Sequence, residues 1–106
     1  MERINIYIPD PNTPPLKAPK DSIVSKVFLK NDFLEVTLFS FDAGQGLSEH
    51  TSAFPAIIEI LKGKGSMIIG EKEVQLFKGT WIYMDPNLSH SLKAITPLKM
   101  LLTLRK

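Results

Sequence analysis

GQGLSEHTSAFPAIIEILKG, residues 44–63, decides how this chain is read. It opens on a glycine-spaced turn, passes His50, one of only two histidines, and ends in an apolar run closed by Gly63. Glu59 sits between Ile58 and Ile60, so a strand here turns the two isoleucines inward and the carboxylate outward. His50 is followed by Thr51, Ser52, Ala53, Phe54, Pro55 and Ala56, none of them a strong metal ligand. The histidine therefore reads either as part of a metal or ligand site or as an imidazole with a structural hydrogen bond.

The segments around this stretch carry the same period of two. SIVSKVFLK and DFLEVTLFSF (residues 22–30 and 32–41) are rich in Val, Ile, Phe and Thr, and Asn31–Asp32 supplies a hairpin turn between them. After Gly63 come SMIIG, EVQLF, TWIYM, HSLKAI and LKMLLTL, separated by short turns such as GEKE, FKG and DPN. Strands of this length and spacing predict an antiparallel sandwich or barrel, with no stretch of helical period. Parity places His90, Leu92 and Ala94 on one buried face, and Leu98, Met100, Leu102 and Leu104 on another, opposite Lys99 and Thr103.

The length of 106 residues suits one domain. Five of the eight prolines fall in IPDPNTPPLKAPK, residues 8–20, which makes residues 1–21 a short strand (Ile4, Ile6, Ile8) followed by a proline-rich arm, ahead of a barrel over 22–106. Such an arm is placed to pair with a second subunit, so a homodimer is expected. A net charge of +2 with dispersed lysines gives no reason to expect nucleic acid or a membrane surface as partner. No window approaches the about 18 apolar residues of a membrane span, and MERINIYIPDP lacks a signal-peptide core, so a cytoplasmic location is expected. The absence of cysteine excludes disulfides, thiolate metal sites and thiol nucleophiles. GKGS at 63–66 lacks the spacing of a phosphate loop and reads as a turn.

Two stretches resemble the sequence motifs of the cupin family. The first motif reads G-x5-H-x-H-x3-E-x6-G: Gly44, His50 and Gly63 keep it, while Ser52 stands at the second histidine and Ala56 at the glutamate. The second reads G-x5-P-x-G-x2-H-x3-N: Gly79 and His90 keep it, while Asp85, Asn87 and Ala94 replace its proline, glycine and asparagine. Asn87 is a mild replacement, because Asn tolerates the left-handed conformation of a turn glycine. The resemblance covers about residues 35–104. It implies an all-β double-stranded β-helix, a jelly-roll-like barrel of two antiparallel sheets with a pocket between them.

The resemblance also implies a metal held by three histidines and a glutamate in the barrel mouth, of which this chain keeps His50 and His90. Gln45, Glu49 and Tyr83 are candidate replacement ligands. Without thiolates, a divalent metal would be held by imidazole and oxygen, which suits Zn, Fe, Mn, Ni or Cu without choosing among them. His50, His90, Ser52, Phe54, Trp81 and Tyr83 are the candidate pocket residues. Three functional readings stand. The first is a small-molecule-binding barrel without a tightly held metal. The second is a metal-dependent enzyme, an oxygenase or isomerase type, built on His50 and His90. The third is an interaction domain whose barrel is filled by its own side chains, as Ala56 and Ala94 allow.

Overall fold

The computed structural model describes residues 17–106. The strand expected at Ile4, Ile6 and Ile8 and most of the proline-rich arm lie outside the described residues. Nine strands and no helix make up the described chain, as the period of two predicts: β1 (Ile23–Lys30), β2 (Leu34–Phe41), β3 (Gly46–His50), β4 (Ala56–Lys62), β5 (Gly65–Ile69), β6 (Lys72–Leu76), β7 (Trp81–Met84), β8 (His90–Ala94) and β9 (Leu98–Arg105). They form two sheets with antiparallel pairing throughout, one of order β1-β2-β9-β4-β7 and one of order β3-β8-β5-β6.

The predicted turn after β1 is made by one side chain. Asn31 Oδ1 accepts hydrogen bonds from the backbone N–H of Phe33 and of Leu34, both at 2.8 Å. An Asx side chain that mimics the backbone in this way fixes the hairpin locally, and the β1–β2 register follows from it. Asn87 has φ 65°, the left-handed conformation expected where a turn glycine would otherwise stand.

The inner faces of the two sheets meet in one apolar core. Ala56, Ile58 and Ile60 of β4 are each about fully buried, as are Met67, Met84, Leu98 and Met100, and Leu92 and Ala94 of β8 join them. Burial of a Leu, Ile or Met side chain is worth about 1.5–3 kcal/mol, so this layer supplies the main force holding the sheets face to face. The parity read from the sequence holds along β4, β8 and β9.

The chain repeatedly crosses from one sheet to the other, and two crossings are fastened side by side. Lys64 lies between β4 and β5, and residues 95–97 lie between β8 and β9. The Lys64 carbonyl accepts the N–H of Ile95 (2.9 Å) and of Thr96 (3.1 Å), and the Lys64 N–H donates to Thr96 Oγ1 (2.9 Å). Gly63 makes this approach possible. It has φ 92°, and a Cβ there would run into the Pro97 carbonyl oxygen. Gly79 has the same φ, but a Cβ there would meet open space.

Three substitutions follow from these turns and are read from urea midpoints at constant m-value. Gly63→Ala combines a disfavoured φ with a backbone clash and is expected to cost about 2–4 kcal/mol. Gly79→Ala carries the φ penalty alone, about 1–2 kcal/mol. Asn87→Ala is expected to lose about 1 kcal/mol relative to Asn87→Gly. Equal losses for Gly63→Ala and Gly79→Ala would contradict the close approach at Pro97.

Candidate functional site

His50 ends β3 and His90 begins β8, and the two are register partners across neighbouring strands. This placement depends on an irregularity. Leu47 pairs with Leu92, and the next pair is His50 with His90, so β3 spends three steps where β8 spends two. The extra residue is a β-bulge, which reverses the alternation of the strand beyond it. Without the bulge, Glu49 would face His90. With it, His50 does, and Glu49 is turned away to accept a hydrogen bond from Ser89 Oγ at 2.6 Å.

The two rings pack edge to face, with centroids 4.3 Å apart and planes at 62°. Each is also tied to the backbone two residues earlier. His50 Nδ1 donates to the Ser48 carbonyl at 2.7 Å, and His90 Nδ1 donates to the Leu88 carbonyl at 2.8 Å. A carbonyl oxygen has no proton to give, so the hydrogen belongs to Nδ1 and each neutral ring keeps its lone pair at Nε2. A backbone bond of this kind also fixes ring orientation. His90 is buried and His50 is exposed, so the pair has one ring in the barrel wall and one at the solvent edge.

The loop that follows β3 and the loop that precedes β8 are joined. Asn87 N–H donates to the Ser52 carbonyl at 2.7 Å. Ser52 Oγ is already engaged with its own turn, donating to the Phe54 carbonyl (3.1 Å) and accepting from the Phe54 N–H (3.2 Å). Phe54 is exposed on this loop, and Ala56, where the resemblance would have a carboxylate, is buried in the core.

The other sequence candidates lie elsewhere. Gln45 is at the far end of β3, where its carbonyl accepts the Ala94 N–H at 2.8 Å. Trp81 and Tyr83 alternate with the inward Ile82 and Met84 and pair with Glu59 and Ile57. They therefore stand exposed on the outer face of the five-stranded sheet, away from the histidine pair. Among the described residues no group of three or more His, Cys, Asp or Glu is placed to hold a metal. The donor set here is two imidazoles, a hydroxyl spent on a local turn and a methyl group, which does not fit the four-ligand metal site implied by the sequence motifs.

The sequence reading missed the bulge in β3. The one signal in the sequence is that the apolar Leu47 and the motif residue His50 are an odd number of residues apart.

No family model matches the chain, and no curated protein does. Solved structures do. A cupin superfamily protein from Desulfitobacterium hafniense superposes with a TM-score of 0.84 at 20% identity, covering 97% of this chain and 98% of that one. The conserved protein SPY1581 of unknown function from Streptococcus pyogenes gives a TM-score of 0.81 at 25% identity over 99% of this chain and 96% of its own. A cupin 2 conserved barrel domain protein from Leptotrichia buccalis gives 0.79 at 29% identity, covering 84% of this chain and 43% of that longer one. With two antiparallel sheets, a shared core between them and two half-kept motifs meeting at His50 and His90, the chain has the fold of the small cupin barrels.

Proposed function

We propose that this barrel binds a small polar molecule at its His50–His90 end, without a resident metal, in a sensing, carrier or accessory role. One observation carries the reading: both Nδ1 atoms are committed to backbone carbonyls, which leaves two oriented Nε2 atoms on adjacent strands with no third His, Asp or Glu placed to join them among the described residues. Two fixed imidazoles accept hydrogen bonds from ligand hydroxyl or amine groups when neutral and donate to ligand oxygens when protonated. Small-molecule sites typically combine an apolar surround with a few such oriented polar atoms. The cytoplasmic location expected from the sequence belongs to the same proposal.

A homodimer is also proposed. It is supported by the exposed Trp81 and Tyr83 on the edge strand β7, with Ile57 of the neighbouring β4 beside Tyr83 on the same outer face. An edge strand with aromatic side chains on its face is a surface that a second copy would cover.

Tag-free protein is to be analysed for metal and screened by thermal shift against small hydroxylated and amino compounds, with His50→Ala and His90→Ala alongside. A binding compound at 100 times its Kd stabilises by about 2.7 kcal/mol, and the shift is expected to vanish in both variants. Stoichiometric metal lost in both variants would overturn the metal-free reading in favour of a metal-dependent enzyme. Neither metal nor any shift would favour a barrel filled by its own side chains. For the dimer, light scattering is expected to give twice the chain mass, and Trp81→Ser to reduce it to one; a monomeric parent protein ends that proposal.

A further inference from the structure

A second constellation lies at the opposite end of the barrel. β4 runs from Ala56, which follows the His50 loop, to Lys62, and β9 runs antiparallel to it, so Lys99 pairs with Lys62. On the other side of β9, Lys99 pairs with Ser40 of β2. Ser40, Lys99 and Lys62 thus form a row across three neighbouring strands. A bulge again makes the row. Ile60 pairs with Met100, and the next pair is Lys62 with Lys99, so one extra residue on β4 turns Lys62 off the core face and onto the outer face beside Lys99.

The row lines a cleft of about 300 Å³, closed on other sides by Lys17, Ala18 and the apolar Phe41, Pro97 and Leu98. Its polar groups are not satisfied by one another. Ser40 is 2% exposed, and its Oγ has no hydrogen-bond partner among the described residues. Buried hydroxyls without a partner are rare in folded proteins and call for an explanation. Two ammonium groups directly opposite each other on one face repel. Among the described residues the ion pairs use Lys30 and Lys106 with Glu35, and none engages Lys17, Lys62 or Lys99. Asp42, the one carboxylate lining the cleft, has its Oδ2 bonded to the Asp21 N–H at 2.7 Å. Burial, and next the charge of Lys62, holds Lys99 below the ordinary lysine range.

We propose that this cleft is a binding site for a small oxyanion, a phosphate or carboxylate group carried on a short apolar body, with Ser40 Oγ, Lys62 Nζ and Lys99 Nζ as its donors. An oxyanion placed over the row accepts a hydrogen bond from the idle Ser40 hydroxyl and offsets the repulsion of the two ammonium groups through charge-assisted hydrogen bonds. The cleft is larger than the head group alone, and Phe41, Pro97 and Leu98 offer apolar contact for what is attached to it. The site shares no residue with the histidine pair.

The test is a thermal-shift and calorimetric titration with phenyl phosphate and with benzoate, each against chloride at matched ionic strength. Phenyl phosphate tests the phosphate head and benzoate the carboxylate. At least one is expected to give a saturable rise in melting temperature. Lys99→Gln and Lys62→Gln are each expected to weaken binding by about ten-fold or more and Ser40→Ala by several-fold. The Lys→Gln variants remove opposed like charges, so their ligand-free melting temperatures are expected to equal or exceed that of the parent protein; lost binding is then not lost folding. Binding is expected to persist in His90→Ala. No response to either anion overturns the proposal. So does a response that Lys62→Gln/Lys99→Gln retains in full, or one that His90→Ala abolishes.

Discussion

The structure depends on the period-two alternation that two facing sheets impose on every strand between them. Each inner face must present apolar side chains to the other sheet, and a strand shifted by one residue would send its whole apolar set to solvent. Along β4, β8 and β9 the rule holds without exception at the core, with Ile58, Ile60, Leu92, Ala94, Leu98 and Met100 all buried. The rule is broken by an extra residue in the outer strand β1, and again in β3 and in β4. The breaks in β3 and β4 lie toward the ends of their strands, where one residue changes face without disturbing the core. The break in β3 gives His50 a partner in His90, and the break in β4 sets Lys62 opposite Lys99.

The histidine pair shows how far a fold likeness reaches. The spacing of Gly44, His50, Gly63, Gly79 and His90 is that of a barrel whose mouth, in the family motif, has four ligands. Here each of the two rings is oriented by a backbone carbonyl on Nδ1, the kind of contact that commonly orients metal-ligating imidazoles. What differs is their company. Ser52 has turned its hydroxyl to its own loop, and Ala56 belongs to the core. The scaffold for orienting imidazoles persists while the coordination sphere does not, which is why activity is argued from these side chains and not from the barrel.

Much of this was legible in the sequence because the physics is local. The Asn31 turn, the left-handed Asn87 and the inward sets of β4, β8 and β9 follow from single residues or from parity, and the two histidines were brought together by motif spacing. What was not legible involves the bulges and the relation between sheets. Glu49 and His50 exchange faces only because β3 gains a residue relative to β8, a property of the pair of strands and not of either alone. Trp81 and Tyr83 suggested a pocket by being aromatic and near the second motif, yet Ile82 and Met84 take the inward positions of that short strand. Lys62 and Lys99 are 37 positions apart and carry no motif; only the alignment of β4 with β9 makes them neighbours.

The clasp between the two crossings, where Lys64 bonds Ile95 and Thr96 beside Gly63, bears on how the chain reaches this state. Neither sheet is made of consecutive strands: β9 sits between β2 and β4, and β8 between β3 and β5. The two most C-terminal of the described strands therefore lie inside their sheets, and no fragment that stops before them contains this core. Such interleaving ties folding to contacts distant in sequence, which slows it. The clasp adds to the pairing of β8 with β3 and β5 and of β9 with β2 and β4, and it forms only when residues 95–96 lie against Lys64.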